Sequence, residues 1–204
     1  WMPELDGNGR TDTPKWLKEI PHWWRVRMKE DEQYVEDILT AQEDLGIESA
    51  VHLYDWFQIP YDNDYPHYFP PKDAFATGTK RLQENGVRVM PYINGRLWDT
   101  RDKGMEDWQF TTVAKPFCTK QHDGAPFIET YSSKESDGSS VRLSIMCPSS
   151  ALWQEKMAST VDKLMNSYHM NAVYMDQIGA AQPYMCEDRR HSHRPGGGTW
   201  WVES

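Results

Sequence analysis

The sequence predicts an α/β fold, a partial (β/α)8 TIM barrel of about the first four β/α units, with a β-hairpin insertion after the third strand. Three observations predict it. Apolar runs of strand length alternate with stretches of helical period, the order that builds a parallel sheet with right-handed crossovers. Each strand carries an apolar face and a polar–aromatic face, whereas a doubly wound sheet would read apolar on both. The segments leaving three strands, at Trp56, at 94–99 and at 176–179, would all open onto the C-terminal mouth, where barrel chemistry sits. A closed barrel takes about eight strands and about 250 residues, so a chain of 204 residues is expected to hold the N-terminal half of one.

Taken in order, residues 1–18 are rich in Gly, Pro and charge and read as an irregular lead-in. A first strand is expected from Ile20 to Met28. Asp31 to Leu45 has a helical stripe of Tyr34, Val35, Ile38, Leu39, Ala41, Gln42 and Leu45, with Asp31 placed to cap it and Gly46 to end it. Ser49 to Phe57 alternates as a strand, with Val51 and Leu53 on one face and His52, Tyr54 and Trp56 on the other. A proline- and tyrosine-rich loop follows, Gln58 to Pro71, long enough to suggest function. Lys72 to Asn85 reads as a helix and Val87 to Ile93 as a strand. Residues 102–147 resist a helical reading and form the expected insertion, with Pro126–Ser132 and Ser139–Met146 as its hairpin arms. Ser149 to Tyr168, striped by Leu152, Trp153, Met157, Val161, Leu164 and Met165, is the strongest helix and delivers the chain to a short strand, Ala172 to Ile178.

The formal net charge is −9 with no basic block, which argues against a nucleic-acid partner. No apolar run approaches the roughly 20 residues of a membrane helix, so no membrane partner is expected. No leader peptide is visible, but the chain opens on Trp1 and not on Met, so the compartment stays open, secretion and the periplasm included. Cys118, Cys147 and Cys186 are too few for a disulfide scaffold. Ten Trp and ten Tyr are more than a core of this size needs, and many stand in loop-like contexts. Rings on loops suit flat, amphipathic ligands such as sugars, although large loops also use large side chains to pin themselves down.

The best single candidate for a catalytic residue is Asp176. It ends an apolar strand on the face of Ala172 and Tyr174, where a carboxylate must be solvated, paired or useful. A tail rich in site-like residues, 191–198, follows it.

The run Val51–Trp56, the Tyr65-Pro66 step, Pro91–Asp99, Met146-Cys147-Pro148 ahead of a helix with Trp153-Gln154, then Tyr174–Gln177 and 191–198, resembles a bacterial TIM-barrel family of unknown function related to the glycoside hydrolases. The resemblance covers nearly the whole chain, with its landmarks in order. It implies a carbohydrate-active barrel with a catalytic Asp at the end of the fourth strand. The retaining clan of the alpha-galactosidases and alpha-glucosidases places its nucleophile there, a position Asp176 matches. It also implies an acid/base residue on a later strand, in a remainder of the barrel C-terminal to Ser204, so the 204 residues alone are expected to be inactive.

On that basis Asp176 is expected to attack an anomeric carbon in retaining hydrolysis of an oligo- or polysaccharide, a reaction whose two carboxyl groups stand roughly 5 Å apart. Trp56 and Trp98 would stack on sugar faces, with Tyr92 and Arg194 in the same site. Asn94, Arg96, Gln177, His191 and His193 would hydrogen-bond ring hydroxyls, Asp99 could bind a hydroxyl pair, and Gly196 to Gly198 would let the backbone approach. This reading needs no cofactor and no metal. A second class is a metal-dependent hydrolase using Cys186, His191 and His193, with Glu187 and Asp188 nearby, although Arg189, Arg190 and Arg194 would oppose a cation. A third is a barrel that binds carbohydrate without catalysis.

Overall fold

A computed structural model of the chain describes residues 5–6, 9–10, 12–105 and 108–196. The chain divides into two compact units: Trp1–Trp56 with Pro71–Tyr92 and Leu164–Tyr174, and Phe57–Pro70 with Ile93–Lys163 and Met175–Ser204. Trp200 and Trp201, two of the ten tryptophans, and Gly197 and Gly198, expected to let the backbone approach a sugar, lie outside the described residues.

The lead-in contains a minimal antiparallel pair, β1 (Leu5–Asp6) with β2 (Gly9–Arg10), and a short helix α1 (Lys15–Glu19). The strand and helix expectations then follow in order: β3 (His22–Arg27), α2 (Gln33–Leu45), β4 (Ser49–Tyr54), α3 (Ala74–Glu84) and β5 (Arg88–Asn94). β3, β4 and β5 pair in parallel, with Trp24 opposite Val51 and Val51 opposite Val89. The last strand, β9 (Tyr174–Asp176), completes the order β3-β4-β5-β9. Val89 bonds at Asn171 and Gly95 at Asp176, so the partners advance together and β9 runs parallel to β5. This is an open sheet among the described residues, not a closed barrel.

In the first unit, α2 buries Tyr34, Val35 and Ile38, the early part of its expected stripe, while Leu45 is half exposed. Gly46 ends the helix at φ +64°, the left-handed turn that glycine makes without a Cβ clash. Asp31 does not supply the N-cap itself; Glu32 holds that position, and the Asp31 carboxylate accepts the Gln33 N–H at 3.2 Å. On β4, Val51 and Leu53 are fully buried as expected, and the other face carries an aromatic cluster in which His52 meets Tyr54 and Tyr174 at 4.4 and 4.3 Å.

The second unit contains what was expected as an insertion. β6 (Leu97–Asp99), β7 (Ile128–Lys134) and β8 (Ser140–Ile145) form an antiparallel sheet in the order β6-β8-β7. The β7–β8 turn works as the Ser, Asp and Gly composition predicts: Asp137 accepts the Ser139 N–H at 2.9 Å, and Gly138 takes φ +82°. One expectation fails. Residues 110–117 are helical after all, a π turn at Phe110–Ala114 running into a 3-10 turn at Lys115–Phe117. Helical segments this short show no stripe in the sequence. α4 (Ala151–Asp162) then buries Trp153 and Met157. Ser150 holds its N-cap, yet its hydroxyl donates back to the Cys147 carbonyl at 2.8 Å and not into the helix.

Candidate active site

Asp176 ends β9, and its backbone carbonyl accepts the Gly95 N–H at 3.0 Å, which registers the ends of β5 and β9 side by side. The approach is close: a Cβ at Gly95 would meet Ile178 Cδ1 at 2.6 Å. The Asp176 carboxylate accepts the Gln177 N–H at 2.9 Å. Gln177 itself stands at φ +66°, an uncommon conformation for a residue with a side chain, and such outliers collect at functional sites.

The left-handed turn sends the Gln177 amide into a polar ring. Its oxygen accepts from Arg96 Nη1 at 3.2 Å, and its nitrogen donates to the Tyr131 hydroxyl at 3.0 Å. Tyr131 donates to Glu129 Oε2 at 3.1 Å, and Arg96 Nη1 closes the circuit on Glu129 Oε1 at 2.7 Å. Glu129 and Tyr131 are two apart on β7 and therefore share a face. Burial, reinforced by the Glu129 charge, pushes the Tyr131 hydroxyl up to about 12. Tyr68, wholly buried, bonds both main-chain groups of Asn94, donating to its carbonyl at 3.2 Å and accepting its N–H at 2.7 Å. Its pKa is raised far above the ordinary value, by burial first and also by the nearby charges of Asp176 and Asp62.

Two donors in this corner have no partner among the described residues: Asn94 Nδ2 and Arg96 Nε, on side chains that are 1% and 4% exposed. A buried donor left unpaired costs about 1–3 kcal/mol, which a ligand or water would offset. The Asn94 oxygen is already used, accepting the N–H groups of Arg96 and Leu97 at 2.9 and 3.0 Å. Beside the ring, on the side of Met175 and not of Asp176, lies an apolar cavity of about 190 Å³ lined by Trp153, Met157, Met175 and Ile178.

The structure brings Asn94, Arg96, Asp176 and Gln177 together and assigns the other expected residues elsewhere. Trp56 and Tyr92, in the first unit, are core: Trp56 stacks on Phe75 at 4.9 Å and donates to the Tyr92 carbonyl at 2.7 Å, and the Tyr92 ring stacks on Tyr54 at 4.7 Å. Trp98 is 1% exposed, between the His67 edge at 5.4 Å and Trp153 at 6.2 Å. None of these rings offers a face, which corrects the expectations that Trp56 and Trp98 stack on sugars and that Tyr92 joins them in the site. Asp99 is no free hydroxyl clamp either, since its oxygens accept the N–H groups of Arg101 and Asp64 at 2.8 and 3.0 Å, and burial raises its pKa. Asp55, the carboxylate just past the end of β4, pairs with Arg27 at 2.8 Å. His191 and His193 turn to cysteine sulfurs, at 3.4 Å from Cys186 and 3.3 Å from Cys147. Arg194 is exposed, and Gly196 bonds the Cys186 carbonyl at 3.0 Å. The sequence reading missed Glu129 and Tyr131; the alternation of β7 marks their common face but not what that face meets.

This fold is shared with solved glycosidases of low sequence similarity. An alpha-N-acetylgalactosaminidase of Bifidobacterium bifidum, solved with GalNAc, matches over 83% of this chain and 30% of its own at a TM-score of 0.64 and 14% identity. A cycloalternan-degrading enzyme of Trueperella pyogenes matches over 91% of this chain and 28% of its own, with TM-score 0.56 and 17% identity. The chain belongs to the family described as a domain of unknown function (DUF6259), which matches residues 1–204. Curated relatives named "Putative glycoside hydrolase" occur in Bacteroides thetaiotaomicron, 34% identical over 92% of this chain, and in Monosiga brevicollis, 29% identical over 98%. The chain spans 26% and 18% of the lengths of those two proteins.

Proposed function

We propose that this chain is the N-terminal part of the catalytic barrel of a retaining glycoside hydrolase, with Asp176 as the nucleophile. The observation that carries the reading is the seat of Asp176: it closes a parallel strand beside a strained Gln177 and a ring of fixed hydrogen-bonding groups. A carboxylate at the C-terminal end of a barrel strand is where this architecture does chemistry. The names of the curated relatives and the fold shared with glycosidases support the same class.

In this reading Asp176 attacks the anomeric carbon and forms a glycosyl ester, which water then hydrolyses. The Gln177 N–H orients the carboxylate. Arg96 and Asn94 turn their unpartnered N–H groups to sugar hydroxyls, which replaces the aromatic platforms expected from sequence. Glu129, held by Arg96, fixes that guanidinium and is not the proton donor. The general acid comes from residues outside these 204. The substrate is an α-glycoside of an oligo- or polysaccharide, in line with the alpha-linked sugars named for the B. bifidum enzyme.

The test uses the longer parent protein on aryl α-glycosides, beginning with the galactoside and the N-acetylgalactosaminide. Asp176→Asn is expected to lower kcat by on the order of 10³-fold or more, with the first-formed sugar keeping its anomeric configuration by proton NMR. Full turnover by the variant, or inversion, would sink the assignment.

A further inference from the structure

Apart from the ring around Asp176, four side chains bring two sulfurs and two imidazoles to one point. The donor atoms of Cys147, Cys186, His191 and His193 all lie within 4.8 Å of one another. Both cysteines are fully buried and the histidines are partly so. The paired distances are 3.3 Å from Cys147 Sγ to His193 Nε2 and 3.4 Å from Cys186 Sγ to His191 Nδ1. Tetrahedral zinc, with Zn–S about 2.3 Å and Zn–N about 2.0–2.1 Å, sets its ligand atoms about 3.3–3.8 Å apart. The two Cys–His separations match the edges of such a tetrahedron, and every other separation within the group is at most 4.8 Å.

The outer contacts carry the argument further. The far nitrogen of each imidazole faces a main-chain carbonyl: His191 Nε2 lies 2.9 Å from the Pro116 oxygen and His193 Nδ1 lies 3.2 Å from the Arg194 oxygen. A carbonyl can only accept, so those nitrogens carry the hydrogens, and in the neutral imidazole the nitrogens turned to sulfur present lone pairs. Histidine ligands of zinc are oriented in this way. Cys186 Sγ also accepts the Lys120 N–H at 3.4 Å, a contact that favours a thiolate. The arginines do not oppose a cation here. Arg190 is taken by Asp188 at 2.9 and 2.6 Å, Arg189 and Arg194 are exposed, and two thiolates would neutralise a dication.

We propose that Cys147, Cys186, His191 and His193 bind a zinc(II) ion that clips the segment after β9 to the end of β8. Four protein ligands leave no open position, so the site is structural, unlike the three-ligand hydrolytic arrangement the sequence suggested. Cys147 is the ligand that distinguishes the two. On binding, each thiol releases its proton to solvent and no electron moves. The site is independent of the proposed glycosidase chemistry, and either can fail without the other.

The experiment measures metal in the parent protein, purified with reductant and without chelator, by elemental analysis. His193→Gln and Cys186→Ser are each expected to carry one equivalent of zinc less than wild type, while the exposed His122→Gln keeps the full complement. After zinc removal, cobalt(II) alone should restore tetrahedral d–d bands with sulfur-to-metal charge transfer, and His193→Gln should weaken that binding by about 100-fold or more. The cobalt titration of wild type does not depend on any variant folding. Three results would overturn the proposal: zinc content unchanged in both variants, zinc-free protein with free thiols and no cobalt spectrum, or a Cys147–Cys186 disulfide in the intact mass without reductant.

Discussion

Arg96 and Trp98 stand two residues apart, one in the bend after β5 and the other on β6, and the sequence marks both as groups for holding a sugar. The fold treats them differently. Around Trp98 everything is spoken for: the ring is packed by His67 and Trp153, Lys156 sits over it at 5.7 Å, and Asp99 beside it gives both oxygens to main-chain N–H groups. Around Arg96 the account stays open. The guanidinium holds Glu129 and Gln177, yet its Nε and the nearby Asn94 Nδ2 have no partner among the described residues, and Gln177 is strained. A finished hydrogen-bond inventory marks the part that builds the fold; the unfinished one, next to a carboxylate, is the part that the proposed function assigns to a ligand.

The largest expected effect lies on the closed side. Trp98→Ala should lower the unfolding free energy by about 3–5 kcal/mol, through lost burial and the void left behind. Urea unfolding monitored by far-UV circular dichroism measures it. If stability barely changed while KM for a glycoside rose steeply, Trp98 would be a sugar platform after all and the contrast would collapse.

Next comes the open side. Arg96→Met leaves Glu129 without its ion pair and Gln177 without its anchor, and should cost about 2–3 kcal/mol, less than a fully buried pair because Glu129 keeps some contact with water. Adding Glu129→Gln should recover part of that loss while KM in the parent protein stays high. A single variant as stable as wild type would mean that the ring is surface decoration.

The same contrast explains what was legible. Element order and the parallel sheet could be read because periodicity records which face of a strand or helix is buried, as at Val51, Leu53, Tyr34 and Val35. Asp176, Gln177, Asn94 and Arg96 were legible because polar residues ending apolar strands need a reason. Partnership was not legible. Trp56 and Trp98 sit among prolines and acids that look like loop, and only tertiary packing buries them. Glu129 and Tyr131 lie on a hairpin that local pattern sets apart from the sheet. Cys147 is far in sequence from Cys186, so spacing alone pointed to three possible ligands and an open site where the fold gathers four.

The smallest effect concerns Tyr131, and its sign is set by the direction of its shift. Burial and the Glu129 charge push the hydroxyl up from 10.0 to about 12 in the folded protein. The folded state therefore holds this proton more tightly than the unfolded chain. Its contribution is fully present below about pH 10 and is lost as pH rises toward about 12. A phenolate formed in place would face the Glu129 carboxylate and could no longer donate to it at 3.1 Å. Tyr131→Phe removes this group from the titration, so the variant should lose about 1 kcal/mol less stability than wild type between about pH 9 and about pH 11.5, a figure discounted for partial exposure. Tyr34, Tyr65 and Tyr68, also raised by burial, will still make both proteins fall. Urea unfolding at the two pH values reads the difference. Parallel losses in wild type and variant would mean that Tyr131 ionises as freely as in the unfolded chain and that the ring is open to water.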